Sequence, residues 1–178
     1  MSVSTKTPPA PRRVETLPYR PCVGIVLANP DGMIFAAQRI DSEFAAWQMP
    51  QGGIDPHEDA LTAAKRELEE ETGIGGRVIA VEAEYPHWLT YDLPGELIPQ
   101  LWGGRFRGQR QKWFLFRFLG HDSDVNIETV NPEFSNWKWL SPEAVIGNAV
   151  SFKSDVYRQV IGAFLQRIKP VQDSEAHR

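Results

Sequence analysis

Glu67, Glu70 and Glu71 stand in the run KRELEEETG (65–73) at spacings that a helix places on one face. Like charges that close repel, which costs stability unless a cation neutralises them. Hard divalent cations such as Mg²⁺ or Mn²⁺ prefer oxygen ligands of this kind. Glu69 projects away from the other carboxylates and reads as a solvated side chain. Arg66 can pair with Glu70 (i+4) or Glu69 (i+3) and so orient the cluster. Upstream, Gly52 and Gly53 let the backbone come close to a ligand. A metal held there suits phosphoanhydride hydrolysis, which needs charge neutralised on several oxygens and an activated water.

The whole stretch 52–74 reads GGIDPHEDALTAAKRELEEETGI. Gly52 is followed after five residues by Glu58, and after seven more by Arg66 and Glu67. With Leu68, Glu70, Glu71, Gly73 and Ile74, every defining position of the Nudix box is matched, so the chain resembles the Nudix family. The resemblance implies a Nudix fold and a hydrolase of nucleotide polyphosphates. It also implies metal ligation by Glu67, Glu70, Glu71 and the Gly52 carbonyl, with Arg66 in the catalytic group. Glu58 either begins the helix or ligates indirectly.

The flanks are similar to those of bacterial family members that remove pyrophosphate from the 5′ end of RNA. They are also close to the asymmetric diadenosine tetraphosphate hydrolases. The similarity rests on Tyr19-Arg20-Pro21, the stretch 47–53 (WQMPQGG), Gln109 to Phe114, Pro132-Glu133-Phe134 and the run 151–157 (SFKSDVY). It implies that Arg20 contacts the triphosphate or a second nucleotide. Val150, Phe152 and Lys153 would line the RNA-end site, Phe152 by stacking on a base. Glu133 would be the carboxylate outside the box. Ala46 departs from members that have Ser there, so a hydroxyl contact is missing. The partner implied is an RNA 5′ end or a dinucleoside polyphosphate, the latter cleaved to ATP and AMP. A catalytically inactive nucleotide- or RNA-binding sensor of the same fold would be expected to lack a box glutamate, and none is lacking.

Bland alternatives stand beside these assignments. Phe152 fits a core position as well as a stacking one. Lys153 alone would be a solvated charge, and Glu133 a turn residue. Trp113, Trp137 and Trp139 read as core. Arg105, Arg107, Arg110 and Lys112 form a basic run that either steers polyanions or is an ordinary loop. Steering is favoured, which makes Lys112 a substrate-binding candidate. His57, His87 and His121 lack metal-ligand spacing.

The elements that must position these groups are partly legible. CVGIVLAN (22–29) and MIFAAQ (33–38) flank the turn Asn29-Pro30-Asp31-Gly32 and read as paired strands. Further strands are expected at 78–85, 112–119 and 134–140. A helix over 59–72 carries Leu61, Ala64 and Leu68 on one stripe and stops at Gly73. A second, over 154–168, starts with Ser154-Asp155 as cap and first turn and repeats apolar residues at helical spacing. The expected fold class is α+β, an α/β/α sandwich with a mixed sheet between helices.

Residues 1–17, polar and proline-rich, read as a disordered arm; 18–168 as one domain; 169–178 as a flexible tail. The chain of 178 residues carries a formal net charge of −4, which argues against coating duplex DNA. No apolar run is long enough to span a bilayer, so no membrane role is expected. The single cysteine, Cys22, excludes an intrachain disulfide and a cysteine-based metal cluster, and a reducing cytoplasm is expected.

Overall fold

The computed structural model describes residues 13–42 and 45–170. Its strands are β1 (Tyr19–Ala28), β2 (Ile34–Arg39), β3 (Gln51–Gly53), β4 (Ile79–Glu84), β5 (Leu89–Asp92), β6 (Gly108–Phe118) and β7 (Phe134–Leu140). Its helices are α1 (Ala60–Thr72), α2 (Pro142–Gly147) and α3 (Ser154–Ile168).

The strands form one mixed sheet, ordered β4-β6-β1-β2-β7, with β3 joined to β1 and β5 to β6. β1 and β6 run parallel in register from Tyr19 opposite Gly108 to Ala28 opposite Arg117; the other pairings are antiparallel. Alternation along β1 and β6 divides the core. Val23, Ile25, Phe114 and Phe116 face α1, where Ala64 and Leu68 meet them. Val26, Trp113 and Leu115 face α3, against Tyr157, Val160 and Phe164. Each such fully buried apolar side chain contributes roughly 1.5–3 kcal/mol, enough in sum to hold a few buried charges in place. The expected α+β sandwich is thus observed.

α1 begins and ends on local chemistry. The Asp59 carboxylate accepts from the Thr62 amide at 2.9 Å. Gly73, at φ 71°, takes the left-handed turn, and its N–H returns to the Glu69 carbonyl. α3 has the expected limits but a different entry. Ser154 is not its cap; the chain arrives through a 3-10 turn, Ser151–Lys153, and no side chain caps the first turn. The Tyr157 hydroxyl oxygen accepts from the Met49 amide at 3.0 Å, which ties α3 to the segment leading into β3.

Three expectations need correction. β3, β5 and α2, three, four and six residues long, were not expected, although Ser141-Pro142 offers α2 a cap and a first-turn proline. β6 starts at Gly108, four residues before the expected 112, because its first residues pair with β5. The arm assigned to 1–17 is shorter at its inner end. Val14–Thr16 form a 3-10 turn, and Leu17 is buried in the core. Residues 1–12 of that arm and 171–178 of the tail lie outside the described residues.

Candidate active site

One end of the sheet opens into a cleft of about 550 Å³. Arg20 reaches it from the start of β1, Arg39 from the end of β2, Gly52 from β3 and Glu67 from α1. Glu133 enters from the loop before β7, and Val150, Phe152 and Lys153 from the turn before α3. Ala46 lies on the rim. β3 pairs with β1 at Cys22, Val23 and Gly24, which brings the two glycines to the acidic helix.

Arg66 organises the acidic side. Its Nε and Nη2 bind the two oxygens of Glu58 at 2.9 and 2.8 Å, and Nη2 also donates to the Gly53 carbonyl at 2.8 Å. Its Nη1 reaches Glu67 and Glu70, each at 3.1 Å. Glu69 is exposed and is not among the partners of Arg66, so of the two expected pairings only the one to Glu70 forms. Glu58 therefore acts as the outer brace of Arg66. Together these bonds lock the loop after β3 to the helix and hold the guanidinium firmly protonated.

The three box carboxylates have unequal surroundings. Glu71 is 2% exposed, and its Oε2 accepts from the Gln51 amide at 3.1 Å. Burial pushes its pKa well above the usual carboxylate range, and the charges of Glu133 and Glu67 push it further. Burial also raises Glu67, against the opposing pull of Arg66. Glu70 is largely exposed and turned onto Arg66. Among the described residues no three acidic, histidine or cysteine side chains are gathered closely enough to hold an ion as they stand. The donor set nevertheless fits a divalent cation. The Glu67 carboxyl lies directly against the backbone of Gly52, where any Cβ would overlap it, and Glu67 and Glu71 are buried carboxylates raised by neighbouring negative charge, which a dication relieves.

The rest of the lining is basic and aromatic. Lys153 is buried at 8% exposure, with Nζ 3.3 Å from Gln48 Oε1 and 5.9 Å from the centre of the Tyr91 ring. Burial, with the nearby charge of Arg39, lowers its pKa to about 8. The Phe152 ring packs at 5.6 Å from Tyr91 and is half-buried, so it is part core and part cleft wall. Arg20 lies 5.1 Å from the centre of the Trp102 ring. Trp102 itself sits at φ 48°, a left-handed conformation that a bulky side chain adopts only at a cost.

The structure gathers Gly52, Glu67, Glu133, Arg20, Val150, Phe152 and Lys153 around one cleft, with Glu71 beneath it and Arg66 beside it. Lys112 is not brought there. It stands opposite Val23 on the α1 face of the sheet, where Nζ pairs with Glu84 at 2.9 Å. Arg105, Arg107 and Arg110 of the basic run do not line the cleft either. Arg107 binds Asp92 at 2.9 Å, and Arg110 covers the Trp88 ring at 4.7 Å. Trp113 is fully buried, and Trp137 and Trp139 stack around Phe35, as core residues do. Arg39, Gln48, Tyr91 and Trp102 were missed. Gln48 lay in plain view in the 47–53 segment. The tie of Arg39 to Glu133 carried no local signal, because the two are 94 residues apart.

A profile of the NUDIX domain matches residues 18–160, and the chain belongs to the NUDIX family. Divalent-metal dependence is a general property of that family. The chain is 56% identical over 154 residues to an RNA pyrophosphohydrolase of Dinoroseobacter shibae, covering 86% of this chain and 96% of the relative. It is 57% identical over 149 residues to an RNA pyrophosphohydrolase of Cereibacter sphaeroides, covering 84% and 92%. Among solved structures, a C. elegans Ap4A hydrolase binary complex has a TM-score of 0.61 at 24% identity, covering 83% of this chain and 98% of that one. The E. coli dihydroneopterin triphosphate pyrophosphohydrolase has a TM-score of 0.65 at 19% identity, covering 82% and 99%. These two likenesses show the fold. No helix among the described residues is long and apolar enough to cross a membrane.

Proposed function

We propose that this protein hydrolyses the 5′-triphosphate end of RNA, with water entering and pyrophosphate and a 5′-monophosphate end leaving. The observation that carries this is the mixed lining of one cleft: Glu67 against Gly52 shares it with Lys153, Arg20 and aromatic rings. The acidic side suits a cation and phosphates; the aromatic wall suits an unpaired base. Both relatives described above are RNA pyrophosphohydrolases, which supports the same substrate. We place the reaction in the cytoplasm, where RNA ends lie.

Glu67, Glu70, Glu71 and the Gly52 carbonyl would hold the cation, Mg²⁺ with Mn²⁺ able to replace it. When bound, such a cation neutralises phosphate charge and lowers the pKa of water. Arg66 keeps the helix carboxylates fixed against Gly53. Glu133, on the cleft wall, takes the proton of the attacking water. Arg20 and Lys153 neutralise phosphate oxygens, Phe152 stacks on a base, and Val150 shapes the rim.

Lys153 makes the binding step depend on pH. Its pKa is lowered from 10.5 to about 8, so only below about 8 is it a cation for the polyphosphate. kcat/KM reports the free enzyme, and it should fall as pH rises through about 8. Lys153→Gln should remove that alkaline limb. Folding is linked with the opposite sign. Between about 8 and 10.5 the unfolded chain binds more protons at this site, so stability rises with pH across that window.

The substrate is tested by turnover of 5′-triphosphorylated RNA, 5′-diphosphorylated RNA and diadenosine tetraphosphate side by side at equal concentration. RNA carrying the 5′-triphosphate should be preferred by kcat/KM. Preference for the dinucleotide would assign the cleft to nucleotide clearance instead.

A further inference from the structure

Arg39 ends β2 at a break in register. The β2–β7 pairing shifts between Gln38 and Arg39, a bulge of the kind that re-aims a side chain. The redirected guanidinium is held on two sides. Its Nε and Nη2 bind the Asp41 carboxylate oxygens at 2.7 and 2.9 Å, and its Nη1 donates to Glu133 Oε2 at 2.9 Å. The backbone adds a second tie, from the Ile40 N–H to the Glu133 carbonyl at 2.9 Å. All three charged side chains line the cleft. Glu133 needs such a hold, because its charge is repelled by Glu67 and Glu71, whose pKa values it raises.

We propose that Arg39, braced by Asp41, is a positioning residue for hydrolysis: it fixes the Glu133 carboxylate over the cleft against the repulsion of the α1 carboxylates. This rests on the assignment of Glu133 as the proton acceptor. Arg39 acts through Glu133 and does not itself bind the phosphates. The fork of an arginine suits the double hold. A lysine can reach one carboxylate but cannot grip Asp41 with two parallel bonds.

The test is a double-mutant cycle on 5′-triphosphorylated RNA with Glu133→Gln, Arg39→Gln, the pair, and Arg39→Lys. Arg39→Gln should lower kcat by about 30-fold, below the loss from Glu133→Gln itself, which should be on the order of 10²–10³-fold. Its KM should stay within about 2-fold, as expected for a group that does not bind the substrate. Arg39→Lys should recover part of the loss. In the Glu133→Gln background, Arg39→Gln should add less than about 3-fold. Arg158→Gln, in the exposed pair with Asp155 on α3, should match wild type and exclude a general surface-charge effect. A raised KM with kcat kept would overturn the proposal by showing that Arg39 binds phosphate. Losses that multiply in the pair would overturn it too, with Glu133 retaining its role. Full activity of Glu133→Gln would overturn both the role of Glu133 and that of Arg39.

Discussion

Glu71→Gln should lower kcat by at least about 10³-fold, some 4 kcal/mol of transition-state stabilisation, and still fold. The amide has the shape of the carboxyl and can still accept from the Gln51 N–H that Glu71 binds at 3.1 Å. What it lacks is the negative charge that a cation needs. The stability effect runs the other way. Glu71 is buried, and its pKa is well above the ordinary 4.5. Its contribution to folding is therefore complete below about 4.5 and is lost as pH rises through the folded value. In metal-free protein at neutral pH, thermal melts should show the variant at least as stable as wild type. Inactive protein with an unchanged or higher Tm is the expected pair of results. Turnover near the wild-type rate would remove Glu71 from the site.

Gly52→Ala should cost about 10²-fold in kcat, because it disturbs a ligand without deleting one. A Cβ at Gly52 would fall on the Glu67 carboxyl. Glu67 is held at that place by Arg66, which is itself fastened to Glu58 and the Gly53 carbonyl, so it has little freedom to yield. Gly53→Ala makes the informative comparison. Its Cβ would meet the end of the Arg20 side chain, a flexible group that can move aside. Kinetics of the two variants should therefore differ by about tenfold or more, the larger loss lying with Gly52. Equal losses would mean that the Gly52–Glu67 contact has no special part in the chemistry.

These two positions also show what a sequence can reveal. α1 was legible because its signals are local: the apolar stripe of Leu61, Ala64 and Leu68, and Gly73 as stop. The same periodicity placed Glu67, Glu70 and Glu71 on one face. It could not rank them, since burial depends on β3 and the cleft wall crossing above Glu71 and leaving Glu70 in solvent. β3 escaped notice for a related reason. Three residues carry no alternation, and only pairing with β1 makes them a strand. Lys112 was misplaced by parity. Its register opposite Val23 turns it to the α1 face, while Gln109 and Gln111, on the other parity, turn away from it. The flanking residues Arg20, Glu133 and Lys153 reached attention through family resemblance. Their common cleft is a product of the sheet order, and Arg39 became visible only when β2 and the loop before β7 were brought together.

We propose that the carboxylates of α1 act by holding a divalent cation for phosphoanhydride hydrolysis. Turnover of 5′-triphosphorylated RNA should stop when EDTA strips the protein. It should return on adding Mg²⁺ or Mn²⁺ in excess of the chelator. Pyrophosphate release that continues undiminished in EDTA would contradict the account.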